Sequence, residues 1–113
     1  MIRKIALAAL LTVLAGTASA NPPSDILLKT QGPNVQIQVL HKTKDVLKHF
    51  IVEVKVWLNN TQVISQKFGQ QADNDKQSAV YLIPSLKAGD QLKVSARCNI
   101  YGEMSKKFVV NKE

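Results

Sequence analysis

Two imidazoles and one thiol, His41, His49 and Cys98, are the strong transition-metal ligands of this 113-residue chain. Seven residues, Lys42 to Lys48, separate the histidines. A thiolate with two imidazoles is a donor set soft enough for copper, zinc or iron(II), and a coordination position left open by the protein is room for a substrate. The alternative is purely structural: His41 and His49 bound a loop, and Cys98 fills the core as a small apolar residue. A single cysteine cannot form an internal disulfide, so a reactive or intermolecular thiol is the third use open to it. Other chemistries lack their parts. There is no carboxylate pair at acid–base spacing, no Gly-x-Ser-x-Gly elbow and no phosphate-cradling glycine loop.

These side chains must be positioned by strands. Val35, Ile37 and Val39 alternate with Asn34, Gln36 and Gln38, which predicts a half-buried strand ending near His41. Phe50, Val52, Val54, Val56 and Leu58 alternate with Ile51, Glu53, Lys55 and Trp57 in a second, which His49 opens. Asn59-Asn60-Thr61 is turn chemistry leading into a return arm over Gln62 to Phe68. The polar stretch Gly69 to Gln77 reads as a surface loop. Further strands are predicted over Ser78 to Ile83, Leu92 to Cys98 and Lys106 to Val110, with another around Ile26 to Thr30. About seven short strands in one domain predict an all-β, immunoglobulin-like antiparallel sandwich. Strand ends gather at the two rims of such a body, so His41 and His49 can face each other across their loop. Cys98 joins them if its strand runs in the same direction as the one ending at His41.

Residues 1–20 carry a basic start at Arg3 and Lys4, an apolar run from Ile5 to Leu14 and a small-residue cleavage site at Ala18-Ser19-Ala20. They read as a secretory signal peptide, which leaves a domain over residues 21–113 that is exported to the periplasm or secreted, with no membrane span after cleavage. Without Arg3 and Lys4 the balance is 13 basic against 8 acidic residues, a net charge of +5. The charges are dispersed and only Trp57 and Tyr81 lie near the middle strands, so a nucleic-acid platform is not expected. Lys42, Lys44 and Lys48 around Asp45 put a net charge of +2 on the loop between the histidines, suited to steering a small anionic substrate toward the site.

The stretch His49-Phe50-Ile51, the strand with Trp57, and Cys98-Asn99-Ile100-Tyr101-Gly102 resemble the iron domain of superoxide reductases, the desulfoferrodoxin and neelaredoxin family. The likeness runs from Val35 to Val110. It implies ferrous iron held by four imidazoles and an axial cysteine thiolate, with an open position for superoxide, a thiolate that favours reduction to peroxide, and a lysine that attracts the anion. Carried over, Cys98 matches the axial ligand and His49 the histidine that opens the strand, with His41 near the preceding loop histidine. Lys42 stands where the family usually has proline, and the loop is about two residues longer. Tyr101 replaces the family's final histidine, and no histidine precedes His41 to match the upstream one. The resemblance therefore implies a degenerate iron site of His41, His49 and Cys98, with Tyr101 as a fourth donor through its phenolate, in superoxide detoxification or redox chemistry with an electron donor.

A second resemblance is to the Z subunit of the thiosulfate-oxidising carrier, which has the same sandwich, a His-Phe-Ile strand and a polar hairpin turn matched here by Asn59-Asn60. It implies a metal-free partner module in sulfur-compound oxidation that pairs with a protein partner bearing the sulfur on its own cysteine.

Overall fold

The computed structural model of the protein describes residues 21–111; the predicted signal peptide, residues 1–20, lies outside the described residues. Seven strands follow one another: β1 (Asp25–Gln31), β2 (Asn34–Leu40), β3 (Ile51–Leu58), β4 (Thr61–Lys67), β5 (Lys76–Leu82), β6 (Gln91–Cys98) and β7 (Glu103–Val109). No helix occurs among the described residues. One sheet has the order β1-β2-β5 and the other β4-β3-β6-β7, with every pairing antiparallel. This is the all-β sandwich expected from the alternation, and its core is drawn from both inner faces: Ile26, Val35, Ile37 and Val39 against Ile51, Val54, Val56, Leu92, Val94 and Ala96.

Local chemistry sets the connections. Asn59 and Asn60 both take positive φ, 48° and 73°, the backbone of a two-residue hairpin turn that asparagine tolerates well. Asn59 also accepts the Gln91 N–H at 2.9 Å and donates to Asp90 Oδ1 at 3.0 Å, which ties the hairpin to the entrance of β6. The sheets are bridged at their edges by the ion pair of Lys106 on β7 with Asp25 on β1, 2.8 Å apart. Tyr81 on β5 donates to Gln66 Oε1 on β4 at 2.6 Å, and burial pushes its phenol pKa up to about 12.

The structure departs from the alternation in β3. A simple period of two turns Phe50, Val52, Val54, Val56 and Leu58 inward. Val54 and Val56 are indeed fully buried, but the next fully buried residue is Ile51 rather than Val52. The β3–β6 register shifts between Ile51 and Glu53, and the extra residue of such a bulge reverses which side chains face the core. Ile51 thereby pairs directly with Cys98. The ion pair of Arg97 with Glu53, 3.0 Å, lies across the same irregularity.

The segment Gly69 to Gln77 also differs from the expected surface loop. Lys76 and Gln77 already belong to β5, and Gln71 and Gln77 are buried. Gln77 Nε2 donates to the carbonyls of Ile51 and Gln70 at 3.1 and 2.8 Å, while its Oε1 accepts the Ala72 N–H at 3.1 Å. A buried glutamine that meets its hydrogen bonds on the backbone has no apolar pattern to betray it. The last strand begins at Glu103, three residues before Lys106, because a tight turn over residues 99–102 returns the chain at once.

Candidate metal centre

The antiparallel order brings four stretches to one rim. β2 ends at Leu40, beside the start of β1 at Asp25 and the start of β5 at Lys76, while β6 ends at Cys98 beside the start of β3 at Ile51. The rim therefore gathers the segment before β1, the loop over residues 41–50, the loop over residues 68–75 and the turn over residues 99–102.

There the three ligand residues meet. One ligand atom each from His41, His49 and Cys98 all lie within 4.8 Å of one another. Donors on opposite sides of one first-row divalent ion are about 4.4 Å apart for bonds near 2.1 Å to nitrogen and 2.3 Å to sulfur, and neighbouring ones about 3 Å. No pair in the trio is therefore more than about 0.4 Å beyond the span of two donors on opposite sides of one ion. The imidazoles stand edge to face, with centroids 4.8 Å apart and planes at 88°.

His41, 1% exposed, is held by a residue that periodicity does not reveal. Gln71 Oε1 lies 2.8 Å from His41 Nδ1 and also accepts the Ile51 N–H at 3.1 Å, while Gln71 Nε2 donates to the carbonyls of His41 and Asp73 at 2.8 and 2.9 Å. Both of Gln71's own ends are fixed by backbone, so its Oε1 accepts from Nδ1 of His41. Opposite Nε2, at 2.8 Å, stands the carbonyl oxygen of Asn21.

His49 is returned to the rim by a turn in which Asp45 O accepts the N–H groups of Lys48 and His49 at 3.1 and 2.9 Å. Its Nε2 is buried with no hydrogen-bond partner. An orphaned imidazole nitrogen is costly in a folded interior unless something else engages it. Burial first, then the neighbouring His41 ring, hold the His49 pKa below its usual 6.5, with the Asn21 carbonyl opposing them. The neutral ring so favoured is the form that ligates a metal.

Cys98, 3% exposed, has its sulfur turned to the same point. The Ile100 N–H is directed at Sγ from 3.4 Å, and Sγ lies 3.9 Å from Asn99 Oδ1. Asn99 fastens the residues on either side of His49 to this turn: its Oδ1 accepts the Phe50 N–H at 2.9 Å, its Nδ2 donates to Lys48 O at 3.0 Å, and its own N–H donates to Phe50 O at 2.9 Å. Two imidazoles, one of them with an unpartnered buried nitrogen, and one sulfur are a donor set that fits a soft to intermediate transition-metal ion.

Tyr101, in the turn that follows Cys98, is 63% exposed. Lys42, Lys44 and Lys48 are exposed on the loop between the histidines, and Lys42 pairs with Asp75 at 3.3 Å. Gln71, Asn99 and Asn21 are the positioning residues that sequence reasoning did not single out as such. Asn99 alone carries a signal, its place next to the cysteine.

No protein-family model and no curated protein matches the sequence. The fold does have clear counterparts among solved structures. A superoxide reductase (1Fe-SOR) from Giardia intestinalis superposes with a TM-score of 0.62 at 17% identity, over 79% of this chain and 99% of that one. A superoxide reductase (neelaredoxin) from Ignicoccus hospitalis gives 0.54 at 12% identity over 80% and 82%. Another superoxide reductase, in its oxidized state, gives 0.52 at 16% identity over 81% and 90%. The chain has the superoxide reductase fold and carries at its rim a cluster of two histidines and one cysteine that could hold a metal ion.

Proposed function

We propose that this domain is an exported iron-binding protein that works on superoxide or a related small oxygen species, with His41, His49 and Cys98 as its protein ligands. The observation that carries the reading is the convergence of the three ligand atoms within 4.8 Å, one of them the orphaned Nε2 of His49, on a superoxide reductase scaffold. Bound there, ferrous iron supplies one-electron chemistry. The chain's own contribution is to hold the donors in place: Gln71 fixes the His41 ring, Asn99 ties the His49 loop to the Cys98 turn, and the Ile100 N–H is directed at the Cys98 sulfur. Lys44 and Lys48 add positive potential at the rim. Each is worth under about 1 kcal/mol toward an anion ~6 Å away in a high-dielectric setting, enough to raise encounter rates and too little to create an activity.

Anaerobic reconstitution with Fe(II), followed by oxidation, tests this. The expected result is one iron per chain and a visible thiolate-to-iron charge-transfer band that Cys98→Ser abolishes. Absence of stoichiometric iron, or affinity unchanged in Cys98→Ser, overturns it. One observation favours the second reading, a metal-free partner module in sulfur-compound oxidation: both ring nitrogens of His41 already face protein carbonyl oxygens. Co-purification with a carrier bearing a C-terminal cysteine, together with no metal, is its expected signature.

A further inference from the structure

The segment before β1 reaches into the site. Asn21 O lies 2.8 Å from His41 Nε2, and the Asn21 side-chain amide donates to Lys42 O at 3.4 Å. Ser24 N–H donates to Leu40 O at 2.8 Å. Pro22 is packed so closely on Gly102 that a Cβ there would come within 2.8 Å of Pro22 Cα. Residues 21–24 are thus anchored to both sheets at the rim. Asn21 is also the residue that follows the Ala18-Ser19-Ala20 cleavage signal.

We propose that cleavage of the Ala20–Asn21 bond completes the metal centre, by turning the Asn21 backbone into a chelating arm in which the new α-amine and the carbonyl oxygen bind the ion held by His41, His49 and Cys98. The inference rests on the metal-binding reading above. Hydrolysis adds the hydroxyl of one water to the Ala20 carbonyl carbon and its hydrogen to the Asn21 nitrogen. A planar amide whose lone pair is delocalised becomes a primary amine with a lone pair to give. Binding through that lone pair releases the proton the free amine carries.

The geometry is prepared by the residue that follows. A residue before proline is held with ψ of about +120 to +160°, and standard bond lengths then put its nitrogen and its carbonyl oxygen on one side, about 2.8 Å apart. That is the bite of a five-membered chelate ring. The oxygen already stands 2.8 Å from His41 Nε2, close to the ~3 Å between neighbouring donors on one ion. Pro22 and Pro23 restrict the arm's φ angles and so limit the freedom it has to lose on binding. The donor set would rise from three protein atoms to five, which offsets the histidines this chain lacks.

Two forms released from a cleavable fusion make the test, one beginning at Asn21 and one retaining Ala20 as a single extra residue. Each is titrated anaerobically with Co(II) alone, followed by the thiolate-to-cobalt absorption, the ligand-field spectrum and the protons released at pH 7. The Asn21 form is expected to bind at least tenfold more tightly, to release about one proton more and to show a spectrum of higher coordination number. Equal affinity, proton count and spectrum overturn the inference while leaving the metal reading intact. Failure of both forms to bind Co(II) removes the metal reading and the inference with it. Exported protein whose mass shows a first residue other than Asn21 also overturns the inference.

Discussion

Gly102 and Gly89 provide a matched pair of perturbations. Both take positive φ, +97° and +92°, where an L side chain is strained, so replacement by alanine costs about 1–2 kcal/mol at either site. Their surroundings differ. A Cβ on Gly89 meets nothing within 4 Å, whereas one on Gly102 runs into Cα and Cβ of Pro22. Gly102→Ala must therefore also push the segment before β1 off the turn, an overpacking cost of about 1–3 kcal/mol more. In a domain of this size 1 kcal/mol moves the thermal midpoint by about 4–8 °C, so Gly102→Ala is expected to melt roughly 10 °C below Gly89→Ala. The excess belongs to one contact, which a chain beginning at Pro23 lacks. In that background the two alanine variants are expected to melt within about 2 °C of each other. Thermal unfolding followed by circular dichroism on the four proteins completes the cycle. Equal melting of the two variants in the full-length background would show that Pro22 is not seated on Gly102, and the anchoring of Asn21 over His41 would fall with it.

Gln71→Leu orphans the Ile51 N–H and the His41 Nδ1–H in the interior, at about 1–3 kcal/mol each, so its urea midpoint is expected to drop by the equivalent of about 3 kcal/mol; a drop under about 1 would mean that Gln71 does not orient the ring. Asn99→Ala releases Phe50 N–H and Lys48 O and is expected to cost about 1–2 kcal/mol and to speed amide exchange at Phe50, while Asn99→Asp, which keeps the acceptor, protects that amide; equal exchange in all three proteins refutes the clamp. Hydrogen bonds and cationic partners hold the carboxyls of Asp25, Glu53, Asp73 and Asp90 below their usual values, led by Lys106, Arg97, the Asp75 N–H and Asn59 respectively. Folded values below unfolded ones mean stability that is complete above pH of about 4.5 and is lost as the pH falls through the folded values. Acid unfolding monitored from pH 6 to 2 should show this loss, with the fall shallower in Asp90→Asn; a midpoint that rises on acidification contradicts it.

The fold was legible because burial on one face imposes a period of two, and β2, β5 and β6 obey it to within two residues. Convergence of His41, His49 and Cys98 was legible for a related reason, since antiparallel order sends the end of β2, the start of β3 and the end of β6 to one rim. What alternation cannot show is where it is broken. The bulge between Ile51 and Glu53 exchanges the burial of Val52 for that of Ile51, and neither residue differs from its neighbours in hydrophobicity enough to announce it. Gln71 and Gln77 were hidden differently: a polar residue reads as exposed unless its hydrogen-bond partners are known, and theirs are backbone groups distant in sequence. Tyr101 stands where the resembling motif has histidine, and its ring is largely exposed, which a motif read from sequence does not reveal.

The way the donors are held bears on what the site can do. Cys98 sits at the end of a fully paired central strand, opposite Ile51, so its position is set by the core itself. The histidines come from a loop, which would ordinarily be the mobile part of a sandwich. Here the loop is fastened at both ends by side chains that bond backbone rather than one another: Gln71 takes the His41 carbonyl, and Asn99 takes Lys48 and Phe50. Such bonds do not depend on an ion being present. Three donors alone make a modest chelate, and a modest chelate gains most from being arranged beforehand, because each rotamer already fixed is about 0.5–1.5 kcal/mol that binding need not supply. The price of that rigidity is the buried, unpartnered Nε2 of His49, a cost that folding alone leaves uncompensated and that an ion at the rim would relieve.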